Sequence, residues 1–381
     1  MEIKTKRAAL FVAAFLLVSV LEAMPLQARA AERSFLSRFA TVGTVASTVP
    51  ANGDENPYGV AVVRSSIGSL TRGNILVSNF NNSSNLQGTG TTIMQISPDG
   101  ATSVFAQLDP AHLHGACPGG IGLTTALVAL RSGWVVVGSL PTTDGTSATA
   151  KAGCLVVLDS HGKVAEDIRG PLINGPWDMT AFEADDWAAL FVTNVLNDTV
   201  AESPNTVNQG TVVRIVLSLP EEDEDDYYAR GNNPPDVLSE TVIGSGFAER
   251  TDPTALVVGP TGVGLGLDGT LYVADTVNSA IQALPNALFR FDSAGLGQTV
   301  SAGGALNGPL GLAIAPNGNI IVANGGDGNM VEITPKGKQI SVTLADTTGI
   351  GAGTLFGLAV APNHKGIYFV NDGDNTLRFL H

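Results

Sequence analysis

One pattern recurs along this 381-residue chain and limits what it can fold into. Residues 308–335 read GPLGLAIAPNGNIIVANGGDGNMVEITP, residues 259–276 read GPTGVGLGLDGTLYVADT, and residues 354–375 read TLFGLAVAPNHKGIYFVNDGDN. Earlier copies are NPYGVAVV (56–63) with GNILVSNFNN (73–82) and TTIMQISPDG (91–100), CPGGIGLT (117–124) with GWVVVGSL (133–140), and GPWDMTAF (175–182) with ALFVTNVLND (189–198). Each copy sets an apolar run after a Pro-x-Gly turn, then a Gly or Asn turn and a β-branched run closing in Asn or Asp. Third and fourth runs follow. Short β-rich runs cut by Gly, Pro, Asn and Asp read as antiparallel strands with tight connections. The 45 glycines fit many turns rather than long helices, where each costs ~1 kcal/mol.

The anchor position of the turn falls at Gly59, Gly120, Asp178, Gly262, Gly311 and Gly357, in steps of 61, 58, 84, 49 and 46 residues. Only 24 residues follow Gly357, enough for three strands. The segment 35–48 precedes the first copy and has no repeat of its own, so it supplies the missing strand. The expectation is an all-β, six-bladed β-propeller whose N-terminal strand closes the last blade, which removes the open edges of a linear array. The blades are expected near 56–108, 117–168, 175–247, 259–303, 308–346 and 354–381 plus 35–48, in one domain of residues 31–381. A seventh blade within the 84-residue step is the alternative. That step holds the acidic run Glu221 to Asp226 and the pair Pro234-Pro235, which read as a loop.

The phrase GPLGLAIAPNGNIIVANGGDGNMVEITP resembles an NHL repeat, the blade unit of many six-bladed propellers. Two enzyme groups with similar architecture bear on function. Gluconolactonase-like proteins of the senescence-marker family hold a divalent metal in the channel. Their acidic and Asn ligands sit at the starts of inner strands. Carried to this chain, those places hold Tyr58, Trp177, Thr261, Leu310 and Phe356, which ligate a hard cation poorly, and Asp178 is one residue off. Streptogramin-type lyases have related blades and need a channel histidine, which here only His112 or His114 supplies.

Residues 1–30 read as a secretory signal peptide: Lys4, Lys6 and Arg7, an uncharged apolar run of 13 residues from Ala8 to Val20, then Ala28-Arg29-Ala30. The run is short of the ~20 residues that span a bilayer. A periplasmic or secreted protein, free of the membrane after cleavage, is expected. Two cysteines in an exported chain read first as a Cys117–Cys154 disulfide. A net charge of −15 argues against nucleic acid as a partner, since phosphate neutralisation needs clustered Lys and Arg.

Inner strands line a propeller's channel, so the residue before each anchor should face the channel mouth. Tyr58, Trp177, Thr261, Leu310 and Phe356, with Asp178 beside them, are the candidate ligand-binding set, a mostly apolar funnel for a small molecule. Packing across the mouth is the competing reading. A second ring, Asn79, Ser139, Asn194, Asp275, Asn324 and Asn371, reads as strand-ending turn residues that bond their own backbone. An H-x-H pair on extended chain points both imidazoles one way, so His112 and His114 are the candidate metal ligands. Two functions remain in view. One is a binding module for a small molecule or protein at the mouth. The other is a metal-assisted hydrolase or lyase using His112, His114, Asp178 and one divalent metal.

Overall fold

The computed structural model describes residues 33–113, 117, 119–219 and 233–381. The segment 1–30, His114 and the run Glu221 to Asp226 lie outside the described residues. Among the described residues the strands form six antiparallel sheets arranged as a β-propeller. The inner strands are Glu55–Val62, Leu123–Ala129, Pro176–Glu183, Pro260–Leu265, Pro309–Ile314 and Leu355–Val360. In blade six the strand order runs from Val42–Ser47 outermost, through Thr376–Leu380 and Ile367–Asn371, to Leu355–Val360. The chain's beginning therefore closes its last sheet, with Val42 opposite Leu380 and Ser47 opposite Thr376. Among the described residues the long step between blades three and four holds no seventh blade. It is taken up by the long strands Val207–Ser218 and Asp236–Asp252, and by a short added strand, Leu256–Val258.

The core is six apolar slabs, one between each pair of neighbouring blades, because both faces of each sheet are covered by the next. Leu76, Ile93 and Phe105 of blade one meet Leu123, Val135 and Val137 of blade two. Tyr272, Ala274 and Ile281 of blade four meet Leu312, Ile320 and Val322 of blade five. A disulfide joins Cys117, in the connection entering blade two, to Cys154 at the start of that blade's third strand, with Cα atoms 5.5 Å apart.

Around the channel the inner strands approach closely, and the anchor glycines permit it. A Cβ at Gly262 would overlap the carbonyl of Leu310, at Gly311 that of Phe356, and at Gly357 that of Tyr58. Each anchor thus presses its backbone on the next blade's channel-mouth residue, where no side chain fits. Other junctions use hydroxyls. Ser78 Oγ accepts from Gly59 N at 3.0 Å and donates to Thr124 O at 2.7 Å. Thr193 Oγ1 accepts from Asp178 N at 3.0 Å and donates to Thr261 O at 2.9 Å.

Blade two departs from the expected register. Leu123 pairs with Ser139 as Pro57 pairs with Asn79, so Thr124 and Thr125, not Gly119 and Gly120, stand at the channel mouth. An extra residue in that strand, between Leu123 and Leu127, hides the repeat.

The residues leading into the closing strand are held by one buried carboxylate. Glu332, in blade five, accepts hydrogen bonds from Phe35 N (2.8 Å), Leu36 N (2.7 Å), Ser34 Oγ (2.6 Å) and Asn319 Nδ2 (2.6 Å). Phe35, Leu36 and Phe39 enter the slab between blades five and six. Burial alone raises the Glu332 pKa, but the donors from Asn319, Ser34, Phe35 and Leu36 outweigh it and hold it below the ordinary value. The stability it supplies is complete above the ordinary glutamate pKa and is lost as pH falls through the lower folded value. Glu332→Ala is expected to cost about 2–3 kcal/mol in denaturant unfolding at pH 7, because buried N–H groups lose their acceptor. The loss should shrink toward pH 3. An unchanged midpoint at pH 7 contradicts this account of closure.

Candidate functional site

The channel mouth brings together most of the residues expected there. The Tyr58 and Phe356 rings stack with centroids 3.9 Å apart, and Trp177 lies 6.2 Å from Tyr58 and 6.4 Å from Phe356. Leu310 belongs to the same buried cluster. Thr261 is turned instead to the junction between blades four and five. Its Oγ1 lies 2.6 Å from Thr276 Oγ1 and donates to Pro309 O at 3.1 Å.

The funnel is closed, as the reading of packing across the mouth has it. Tyr58, Trp177 and Phe356 are each at most 2% exposed, and the chain's own residues Ala255 to Val258 pack into their cluster. Three local features build this arm. Asp252 Oδ1 accepts from Thr254 N (2.9 Å) and Ala255 N (3.1 Å), which turns the chain inward after the outer strand of blade three. Val257 N donates to Ala255 O at 2.7 Å around Leu256, whose φ of 62° is uncommon for a residue with a side chain. Gln87 Nε2 donates to Pro253 O at 3.0 Å from the far side of the mouth. At the centre Trp177 Nε1 donates to Val257 O at 3.1 Å. The Tyr58 hydroxyl is buried with no hydrogen-bond partner. Burial, then the carboxylates of Asp372 and Asp252, push its pKa well above the ordinary tyrosine value, against the neighbouring Asn56 side chain, which lowers it.

Sequence reasoning missed a third set of residues. Phe80, Leu140 and Val195 each follow the strand-closing polar residue of blades one to three, and all enter the mouth cluster. Phe80 stacks on Tyr58 at 4.5 Å. The signal was present, one position beyond the ring that was read. In blade six that place is Asp372, whose pKa burial, then Glu55, raises to about 6. The arm itself lies between repeats and leaves no periodic signal.

The second ring is structural, by a mechanism other than the expected one. Asn194 Oδ1 accepts from Asn174 N at 2.9 Å, Asn324 Oδ1 from Asn307 N at 3.2 Å, and Ser139 Oγ from Gly122 N at 3.1 Å. These side chains tie the end of the second strand to the connection entering the same blade.

Asp178 takes the place of an anchor glycine and serves a blade junction. Its Oδ1 accepts from Met179 N at 2.8 Å, and its Oδ2 accepts from Val263 N of blade four at 3.1 Å. His112 lies apart, its side chain 78% exposed and its Nδ1 3.5 Å from Asp109 Oδ2. Among the described residues no group of three or more His, Cys, Asp or Glu side chains could hold a metal ion.

The propeller has counterparts among solved structures. A regucalcin of Agrobacterium tumefaciens, described as a calcium-binding protein, is 14% identical over 90% of this chain and 93% of its own, with a TM-score of 0.55. A gluconolactonase of Xanthomonas campestris is 13% identical over 89% of this chain and 88% of its own, with a TM-score of 0.51. At these identities the likeness is one of fold. No protein-family model and no curated protein matches the sequence. A calcium ion takes six to eight oxygens. Tyr58, Trp177, Leu310 and Phe356 offer it one phenol, and the Trp177 N–H is a donor. The mouth residues do not fit the ion.

Burial pushes the Asp178 pKa up to about 8 against the two backbone N–H groups that lower it, and Glu249 is likewise raised to about 8, first by burial. An acid whose pKa is raised on folding holds its proton better in the folded state. Stability should therefore be greatest near pH 4, fall as pH rises, and level off above about 8. Asp178→Asn removes one titrating group, so chemical-denaturation stability plotted from pH 4 to 9 should slope less than in the unaltered protein. An identical slope would show that Asp178 does not titrate in that window.

Proposed function

We propose that this chain is an exported, non-catalytic binding module that takes a small apolar ligand at its channel mouth when the arm 252–258 withdraws. The observation that carries the reading is the aromatic set Tyr58, Trp177 and Phe356, contributed by three separate blades to one point. Aromatic walls with few polar groups suit an apolar ligand. The arm over them is held at the centre by one side-chain hydrogen bond, from Trp177 to Val257 O. Its turn at Leu256 has positive φ, a strain of order 1–3 kcal/mol that cheapens opening. Export is supported by the signal-like composition of residues 1–30 and by the Cys117–Cys154 disulfide, a bond of oxidising compartments. The alternative, a hydrolase or lyase on His112, His114 and Asp178, has in its favour the fold shared with the gluconolactonase, and the placement of the described residues weighs against it. His112 is at the surface, and both Asp178 oxygens are bonded to backbone.

The test uses Trp177 as sole fluorophore in a Trp134→Phe/Trp187→Phe chain, purified from the exported fraction. Its mass should place the N-terminus at Ala31. Titration with the neutral aromatic probe N-phenyl-1-naphthylamine should give saturable one-to-one quenching, weakened at least ~10-fold by Phe356→Ala in a chain that still melts cooperatively. Quenching without saturation, or equal in both proteins, would remove the mouth as the site. Retention of residues 1–30 would remove export.

A further inference from the structure

The chain's own arm indicates what the mouth accepts. Ala255, Leu256, Val257 and Val258 are 5%, 1%, 0% and 4% exposed, so four consecutive small or aliphatic side chains are sealed against the aromatic set. The Trp177 N–H is met by a main-chain carbonyl, that of Val257. The Tyr58 hydroxyl, equally buried, is met by no main-chain group, and the Asn56 side chain beside it makes no well-aligned hydrogen bond with it. A buried hydroxyl without a partner is uncommon, since the group forfeits its bond to water. The mouth therefore has one polar group satisfied by peptide backbone and a second that no backbone group meets.

Geometry explains why the arm cannot serve both. Its end is fixed to Gly259-Pro260, the start of blade four's inner strand, and its beginning to the Asp252 turn. The short span forces the left-handed turn at Leu256. An untethered segment of similar side chains need not adopt that turn. Extended backbone presents a carbonyl or N–H every ~3.4 Å, which lets one segment reach both the Trp177 N–H and the Tyr58 hydroxyl. Charge narrows the choice further. Asp252 and Asp372 both act on Tyr58, and the whole chain carries −15, so an acidic ligand is disfavoured.

We propose that the ligand class of the mouth is a short, uncharged or cationic aliphatic peptide segment, which displaces the arm and bonds Trp177 and Tyr58 together. The arm is a tethered stand-in that keeps the aromatic site dry until such a segment arrives. This rests on the mouth being the binding site, as proposed above.

The probe is a synthetic peptide with the sequence of residues 254–258, Thr-Ala-Leu-Val-Val, acetylated and amidated. The protein is the full chain with residues 253–257 replaced by five Gly and Ser residues, in the single-Trp177 background. The peptide should bind one-to-one by calorimetry and shift Trp177 emission to the blue. Binding should be at least ~10-fold tighter than to the chain with its arm intact, because a tethered competitor acts at an effective concentration in the millimolar range. Tyr58→Phe should weaken it about five-fold, the worth of one ordinary hydrogen bond. The same peptide with Asp for Leu should not bind. If N-phenyl-1-naphthylamine binds the arm-replaced chain and the peptide does not, the peptide class is wrong while the mouth reading stands. If neither binds a chain that still melts cooperatively, both are wrong. If the arm-replaced chain does not fold, Leu256→Ala loosens the arm in place. Saturable peptide binding, tighter to that variant than to the unaltered chain, is then expected, and no saturation with either overturns the proposal.

Discussion

Six inner strands can surround one axis only if they approach more closely than side chains allow, and this chain meets that demand at a single repeated position. At Gly262, Gly311 and Gly357 the backbone lies directly against the next blade's carbonyl, where a methyl group would overlap it. At Gly59 and at Asp178 the junction is carried by the hydroxyls of Ser78 and Thr193 instead. Four of the residues before the anchors, Tyr58, Trp177, Leu310 and Phe356, are thereby turned to the channel mouth. Tyr58, Trp177 and Phe356 meet because their anchors are pressed between blades, not because aromatic rings sought one another. Asp178 is the exception that shows the rule. A side chain is admitted there only with both oxygens bonded to backbone N–H groups, one of them across the junction.

A ring must also be shut. The strand Val42–Ser47 completes blade six, and the residues before it are fixed to blade five by Glu332. Closure therefore spans two blades, with Phe35, Leu36 and Phe39 sealing the slab between them. The burial of Glu332 is offset by its donors, so a single carboxylate converts the chain's beginning into part of the core.

Much of this was legible in the sequence because a blade is a local object. Strand runs and turns sit within a few residues of one another, and their period gave six blades; closure followed because the last copy was one strand short and the segment 35–48 had no repeat of its own. Tyr58, Trp177, Leu310 and Phe356 were found by the same count. What escaped depends on contacts distant in the chain. Glu332 sits 296 residues from Leu36, which it holds. The added residue in blade two moved Thr124 and Thr125 into the place assigned to Gly119 and Gly120. The arm 252–258 belongs to no repeat, so the count did not show which residues fill the mouth. The Asn ring was assigned to turns from residue type alone. It instead braces incoming connections 17 to 20 residues away, as at Asn324 and Asn194.

The functional account turns on the difference between a plug and a door. The arm has the burial of core, but it is only a three-residue strand paired with Arg250–Asp252 at the edge of blade three, and it turns through strained backbone at Leu256. Segments of that kind open locally at a fraction of the free energy of global unfolding. Native-state hydrogen exchange, resolved by residue, decides which it is. The account predicts that the amides of Thr254, Ala255 and Val257 exchange at least ~100-fold faster than those of the strands Leu271–Asp275 and Ile320–Asn324, with no dependence on low denaturant. Exchange of the arm only together with those strands, along the global unfolding line, would make it permanent core and contradict the account.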